Sequence, residues 1–255
     1  MKLTLIVPFS AGLLLAIAPA IAADNAIEQA KSAIQQLQQQ DAVEFAYQRH
    51  SDFGDRTMLE RYRPLPDSHG WTLVSENGEK PSTQRLSEYQ QMKSDEWYSG
   101  QQSQDTEDQD QQSIKLSLSD MIQVDTLEFV GEQQWQQQTV LAYTFTPELD
   151  KFSDHDDKLQ GNLYLNSSNQ APAGLSITLK QSFSPAMSVT LENFAMQIEL
   201  MAIEGDEKTY YVPKQTEEKM AGSYLYFKDF SNQTVRKYSA YSVLAADAVR
   251  RVRAN

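Results

Sequence analysis

Between residues 139 and 243 apolar and polar positions alternate with a period of two. Leu175, Ile177 and Leu179 interleave with Ser176, Thr178 and Lys180, and Phe194, Met196, Ile198 and Leu200 interleave with Ala195, Gln197, Glu199 and Met201. This alternation predicts antiparallel strands with one wet and one apolar face. The predicted strands are 135–146, 161–166, 175–183, 187–203, 209–212, 224–230 and 234–243, with turns at Gly131-Glu132, at 166–169 and at Glu204-Gly205-Asp206. Pro185 separates two of them. The apolar phase slips between Leu191 and Phe194, which predicts a bulge near Glu192-Asn193.

The first hundred residues mix periods. Ala26, Ile27, Ala30, Ala33, Ile34 and Leu37 recur every three or four residues, so 24–40 is predicted as an amphipathic helix with a small-residue stripe. Strands follow at about 43–48, 57–63 and 71–74, and Asn77-Gly78 supplies a turn. Ser82 is the expected N-cap of a helix over 82–93 with Leu86, Tyr89 and Met92 on its stripe. A short helix is predicted at 118–122, a polar segment at 151–158 and a helix at 245–254. Residues 101–112 contain no apolar side chain, so 99–113 reads as a disordered acidic loop. A calcium loop was the sharper alternative, but the Asp-x-Asp-x-Asp-Gly pattern with its closing Glu is missing.

Lys2, the apolar stretches 3–7 and 13–17 and the small-x-small site Ala20-Ile21-Ala22 form the three parts of a secretory signal peptide. Pro8, Ser10 and Gly12 interrupt the apolar run, against a permanent span of about 20 residues. The expected product is a periplasmic protein, residues 23–255 as a single domain, with no transmembrane span once residues 1–22 are cleaved. Losing Lys2 leaves 21 basic and 35 acidic residues, a net charge of −14. Nucleic acid needs clustered Lys and Arg, so it is excluded as a partner. The chain has no Cys, hence no disulfide framework and no thiolate nucleophile.

No catalytic machinery is legible, and the expected chain is not an enzyme. No Ser stands in a Gly-x-Ser-x-Gly turn. Asp154-His155-Asp156-Asp157 packs three carboxylates around an imidazole, but adjacent loop residues seldom converge on one ion, so no metal and no cofactor is expected. Glu44, Glu60 and Glu128 lie in strands among apolar neighbours and read as exposed strand-face acids. The dense Tyr and Phe set from Tyr210 to Tyr241 reads either as inter-strand packing or as a ligand-lined barrel mouth.

Gly161-Asn162-Leu163-Tyr164-Leu165-Asn166 followed by Gly174-Leu175-Ser176-Ile177 resembles a passage of the LolA/LolB-like periplasmic lipoprotein carriers. The strand 196–200, Tyr210-Tyr211-Val212-Pro213 and Tyr238-Ser239-Ala240-Tyr241 follow in the same order. Gly70-Trp71-Thr72-Leu73-Val74, with Asn77-Gly78, Pro81-Ser82 and Tyr89, is similar to a motif of exported bacterial relatives of that fold. The resemblance implies an α+β fold: a curved, incomplete antiparallel β-barrel with helices on its concave side, and space between them for acyl chains. The family's lid-closing Arg is assigned to no residue here, and the acidic insert is a departure. From the alternation, Leu175, Ile177, Leu179, Val189, Leu191, Phe194, Met196 and Ile198 are expected to line an apolar ligand cavity. The expected function is binding or carriage of a hydrophobic small molecule or lipid, with an envelope protein as a possible partner. An envelope structural or interaction module without a ligand is the alternative.

Overall fold

The computed structural model describes residues 18–40, 43–65, 68–102, 117–186, 188–206, 208–224 and 228–244. Helix α1 spans Ala18–Gln38, strands β1 to β3 span Phe45–Asp52, Thr57–Tyr62 and Trp71–Glu76, and helix α2 spans Thr83–Gln102. Strands β4 to β8 span Glu128–Trp135, Gln138–Phe145, Leu159–Asn166, Pro172–Leu179 and Phe183–Ala186. The long strands β9, β10 and β11 span Val189–Glu204, Thr209–Tyr224 and Lys228–Val243. All eleven join one open antiparallel sheet in the order β3-β2-β1-β11-β10-β9-β7-β6-β5-β4, with β8 paired to β9. Strands from before and after 103–116 therefore share one sheet, through the β1–β11 pairing.

Local chemistry explains the boundaries that were legible. Asn77 and Gly78 hold positive φ, as this tight turn requires, and the Asn77 side chain accepts from the Thr57 N–H at 2.8 Å. Ser82 caps α2: its hydroxyl accepts from the Arg85 N–H at 3.1 Å. The phase slip in β9 is a bulge. Asn193 pairs with Ala221 and Leu191 with Gly222, so Glu192 is the extra residue.

Other expectations need correction. β4 runs on through Gly131, which sits at a register shift with φ 130°, and the chain turns instead at Gln136-Gln137. Two glutamines at positive φ are an uncommon turn, and no Asn-Gly or Asp-Gly signal marks them. β10 does not stop at Pro213. It passes through to Tyr224, because a second register shift, between Pro213 and Gln215, makes room for a residue that cannot donate to the ladder. The strand expected over 224–230 falls on the end of β10 at Tyr224 and the start of β11 at Lys228, with 225–227 outside the described residues, and 175–183 is split between β7 and β8. The segment 118–122 is turn rather than helix, 150–158 is a 3-10 stretch, and α2 runs on past 93 to Gln102. The remainder of the acidic loop, residues 103–113, the leader up to residue 17 and the helix expected at 245–254 lie outside the described residues.

Two apolar clusters sit on one face of the sheet. The first joins Leu159, Leu175, Ile177, Leu191, Phe194, Ile198 and Leu200 to Leu37 of α1 and to Leu118 and Met121. The second sets Tyr143, Phe145, Leu163 and Leu165 under Ala26, Ala30, Ala33 and Ile34 of α1. Alanines let the helix lie close to the large strand side chains beneath it. A separate cluster, Met58, Leu73 and Tyr89, packs α2 on β2 and β3. The opposite face is not uniformly wet. Val140, Ala142, Tyr164 and Ala173 are buried there with Trp135, whose ring stacks on Tyr164 at 4.5 Å. Gly174 is required beneath that ring: a Cβ would lie 2.4 Å from Trp135 and 2.3 Å from the Ile198 carbonyl oxygen.

Candidate ligand-binding face

One rung of the ladder can be followed across ten strands. Phe129 opposes Tyr143, which opposes Leu163, then Leu175, Ile198, Thr216, Arg236, Ser51, Met58 and Glu76. Directly opposed residues point to the same side of a sheet. This rung is apolar from β4 to β9, polar over β10, β11 and β1, and apolar again at Met58. The next rung repeats the change, with Ile177 and Met196 leading to Glu218.

The eight residues expected to line the site occupy the apolar part of this face, with one exception. Leu175 and Ile177 are 0% exposed and Ile198 1%, and Leu191 and Phe194 are also buried. Leu179 and Met196 are half-buried against them. Val189 stands apart, paired with Tyr224 at the far end of β9 and outside the cluster. α1 is clipped over this region at its C-terminal end. The Gln40 amide donates to the Tyr211 carbonyl at 2.6 Å and accepts from the Tyr211 N–H at 2.8 Å.

The polar strands carry a different set. Arg236 approaches Glu218 at 3.8 Å, and both are about one-third exposed (28% and 38%). The Thr216 and Tyr238 hydroxyls lie 3.5 Å apart. Ser51 is fully buried, and its hydroxyl has no hydrogen-bond partner among the described residues.

Beyond this stripe, under α2, lies an aromatic and ionic cluster that sequence reading misplaced. Glu60 is not an exposed acid: it is 2% exposed. One carboxylate oxygen accepts from Arg49 at 2.9 Å and the other from the Tyr89 hydroxyl at 2.8 Å. The Arg49 guanidinium lies 4.0 Å over the Trp71 ring, a cation–π contact. Tyr62 packs on Trp71 at 4.8 Å and on Tyr47 at 5.1 Å, and Tyr47 continues to Tyr241 at 5.4 Å and Tyr238 at 5.8 Å. Burial raises the phenols of Tyr47, Tyr62, Tyr89 and Tyr241 above the ordinary range and pushes Tyr143 up to about 12. The signal for Glu60 was its spacing. It sits two residues from Met58 and two from Tyr62, so it shares their face. Glu128 is exposed, as read from the sequence.

Two concavities adjoin α2. One of about 300 Å³ is lined by residues including His69, Trp71, Gln90, Ser94 and Trp97. His69 is fixed there: its Nδ1 accepts from the Trp71 N–H at 2.9 Å, and burial lowers its pKa. The other, about 870 Å³, is open to solvent along Glu88, Met92, Asp95 and Glu96. The residues of 154–157 turn to different partners. His155 lies on the Phe183 ring at 4.4 Å, Asp156 accepts from Gln123 at 3.3 Å and Asp157 pairs with Lys158 at 2.7 Å. Asp156 is pushed up chiefly by burial.

No family model matches the chain, and no curated protein does. Among solved structures the chain is similar to a DUF1329 family protein from Desulfovibrio piger ATCC 29098, at 9% identity and TM-score 0.33, covering 89% of this chain and 96% of that one. It is also similar to an outer membrane lipoprotein-sorting protein domain from Vibrio parahaemolyticus, at 10% identity and TM-score 0.39, covering 89% and 97%. A third is MucB in complex with MucA(peri), at 12% identity and TM-score 0.19, covering 88% and 100%. No helix among the described residues is long and apolar enough to cross a membrane.

Proposed function

We propose that the protein is an exported, non-enzymatic carrier that binds a lipid or acyl chain on the apolar face of its sheet. In this reading residues 23–255 work as one LolA-like unit in the periplasm. The face is concave, with the helices seated on it. The wall is made of Leu175, Ile177, Leu179, Leu191, Phe194, Met196 and Ile198, with Val189 at its rim.

The observation that carries the reading is the roof of the second cluster. α1 covers these large strand side chains through three alanines, Ala26, Ala30 and Ala33, and one fully buried large side chain, Ile34. A buried Leu or Ile contributes roughly 1.5–3 kcal/mol, and a methyl group far less. Lifting this helix exposes only Ile34 and Leu37 among its fully buried large side chains, and it uncovers Tyr143, Phe145, Leu163 and Leu165 beside the Leu175 wall, where an acyl chain can take its place. The full burial of Leu175, Ile177 and Ile198 favours the second reading, an interaction module whose face is permanently closed core.

Uptake of an apolar fluorescent probe separates the two. Wild type is expected to take up the probe, and Met196→Lys to lose most of that uptake while remaining folded. Met196 is half-buried and opposes Glu218, which offsets the new charge in the fold. A wild-type protein that takes up no probe would favour the closed module.

A further inference from the structure

The apolar rung does not end at the wall. It passes from Leu175 and Ile198 directly into Thr216, Arg236 and Ser51 on the same side of the sheet. Three features of that polar stretch call for an explanation. Arg236 has Glu218 near it at 3.8 Å, beyond hydrogen-bond range, so the ion pair leaves guanidinium donors available. The Ser51 hydroxyl is fully buried without a partner among the described residues, and an unsatisfied buried hydroxyl carries a desolvation cost. The Thr216 and Tyr238 hydroxyls, 3.5 Å apart, form at most a marginal bond with each other.

We propose that Arg236, Ser51 and Thr216 form a head-group site for the anionic oxygen group, carboxylate or phosphate, of an amphiphile whose chain lies along Leu175, Met196 and Ile198. This rests on the carrier reading and adds to it the polarity of the ligand and its direction across the sheet. Adjacent strands are about 4.8 Å apart. From β11 to β7 is three such steps, which an acyl chain of moderate length spans. The guanidinium offers a planar fork that matches a carboxylate or phosphate, and Ser51 supplies the hydroxyl donor that now has no acceptor. Glu218 borders the site and sets its selectivity. It repels a second negative charge and holds Arg236 in place when the site is empty. The partial exposure of both side chains leaves the head within reach of solvent while the tail is roofed.

The test compares a fluorescent fatty acid with its uncharged methyl ester on the full chain. Wild type is expected to bind the acid about tenfold more tightly than the ester, the scale of one charge-assisted hydrogen bond. Arg236→Gln should weaken the acid to the level of the ester and leave the ester unchanged, while Arg236→Lys keeps most of the preference. Thermal midpoints of both variants check that the fold survives, and the wild-type comparison stands even if Arg236→Gln does not fold. Equal affinity of wild type for acid and ester overturns the head-group site and leaves the carrier reading intact. Binding of neither probe overturns the carrier reading, and the site with it. Inorganic phosphate that displaces the acid at concentrations similar to the acid's own would assign Arg236 to a free anion and overturn the head-group role.

Discussion

Arg49→Ala is expected to cost about 3–5 kcal/mol of stability, because it strands the Glu60 carboxylate. That carboxylate is almost fully buried between β1, β2 and α2. Of its partners, Arg49 supplies the charge and Tyr89 one hydroxyl bond. Removing Arg49 leaves an ionised group with a single neutral donor, and also takes the guanidinium off the Trp71 ring. The mechanism predicts an asymmetry. The double variant Arg49→Met with Glu60→Leu should recover most of the loss, since a buried pair exchanged for apolar residues of similar size is often neutral. Urea unfolding of the two single variants and the double variant measures this. A loss below about 1 kcal/mol for Arg49→Ala, the ordinary scale of an exposed ion pair, would show that Glu60 reaches water.

Ile198→Ala is the second large effect, at about 2–5 kcal/mol. Ile198 is 1% exposed at the centre of the first cluster, facing Leu175 on β7 and Thr216 on β10. Its truncation leaves a cavity that neighbours on two central strands cannot readily close. The face is packed core at this position, so in the proposed carrier an acyl chain would enter by replacing the roof rather than by filling an empty space. For the same reason a charge at Ile198 tests folding, and the half-buried Met196 is the better position for testing uptake. A loss under 1 kcal/mol at Ile198 would mean that the wall already borders open space.

The sequence made the strands legible because burial on one side of an antiparallel sheet imposes a period of two. The bulge at Glu192 showed as a break in that phase, and Asn77-Gly78 and Ser82 act through local chemistry that neighbouring residues do not alter. The turn at Gln136-Gln137 was hidden because glutamine carries no turn signal of its own. There the closing of β4 on β5 overrides residue preference. The run of β10 beyond 212 was hidden for a related reason, since a bulge absorbs the donor that Pro213 lacks. On the apolar face, the shared side of Leu175, Ile177 and Ile198 could be read from alternation within single strands. The polar stretch could not, because Thr216, Arg236 and Ser51 lie far apart in the chain and meet only through register. Glu60 was missed although its spacing from Met58 and Tyr62 placed it on their face, because its partner Tyr89 comes from a helix.

Native mass spectrometry of the protein purified from cells without detergent tests the carrier claim most directly. The account predicts a population carrying additional mass that dissociates as a lipid or fatty acid. A clean unliganded mass in repeated preparations would contradict it and leave the closed interaction module in its place.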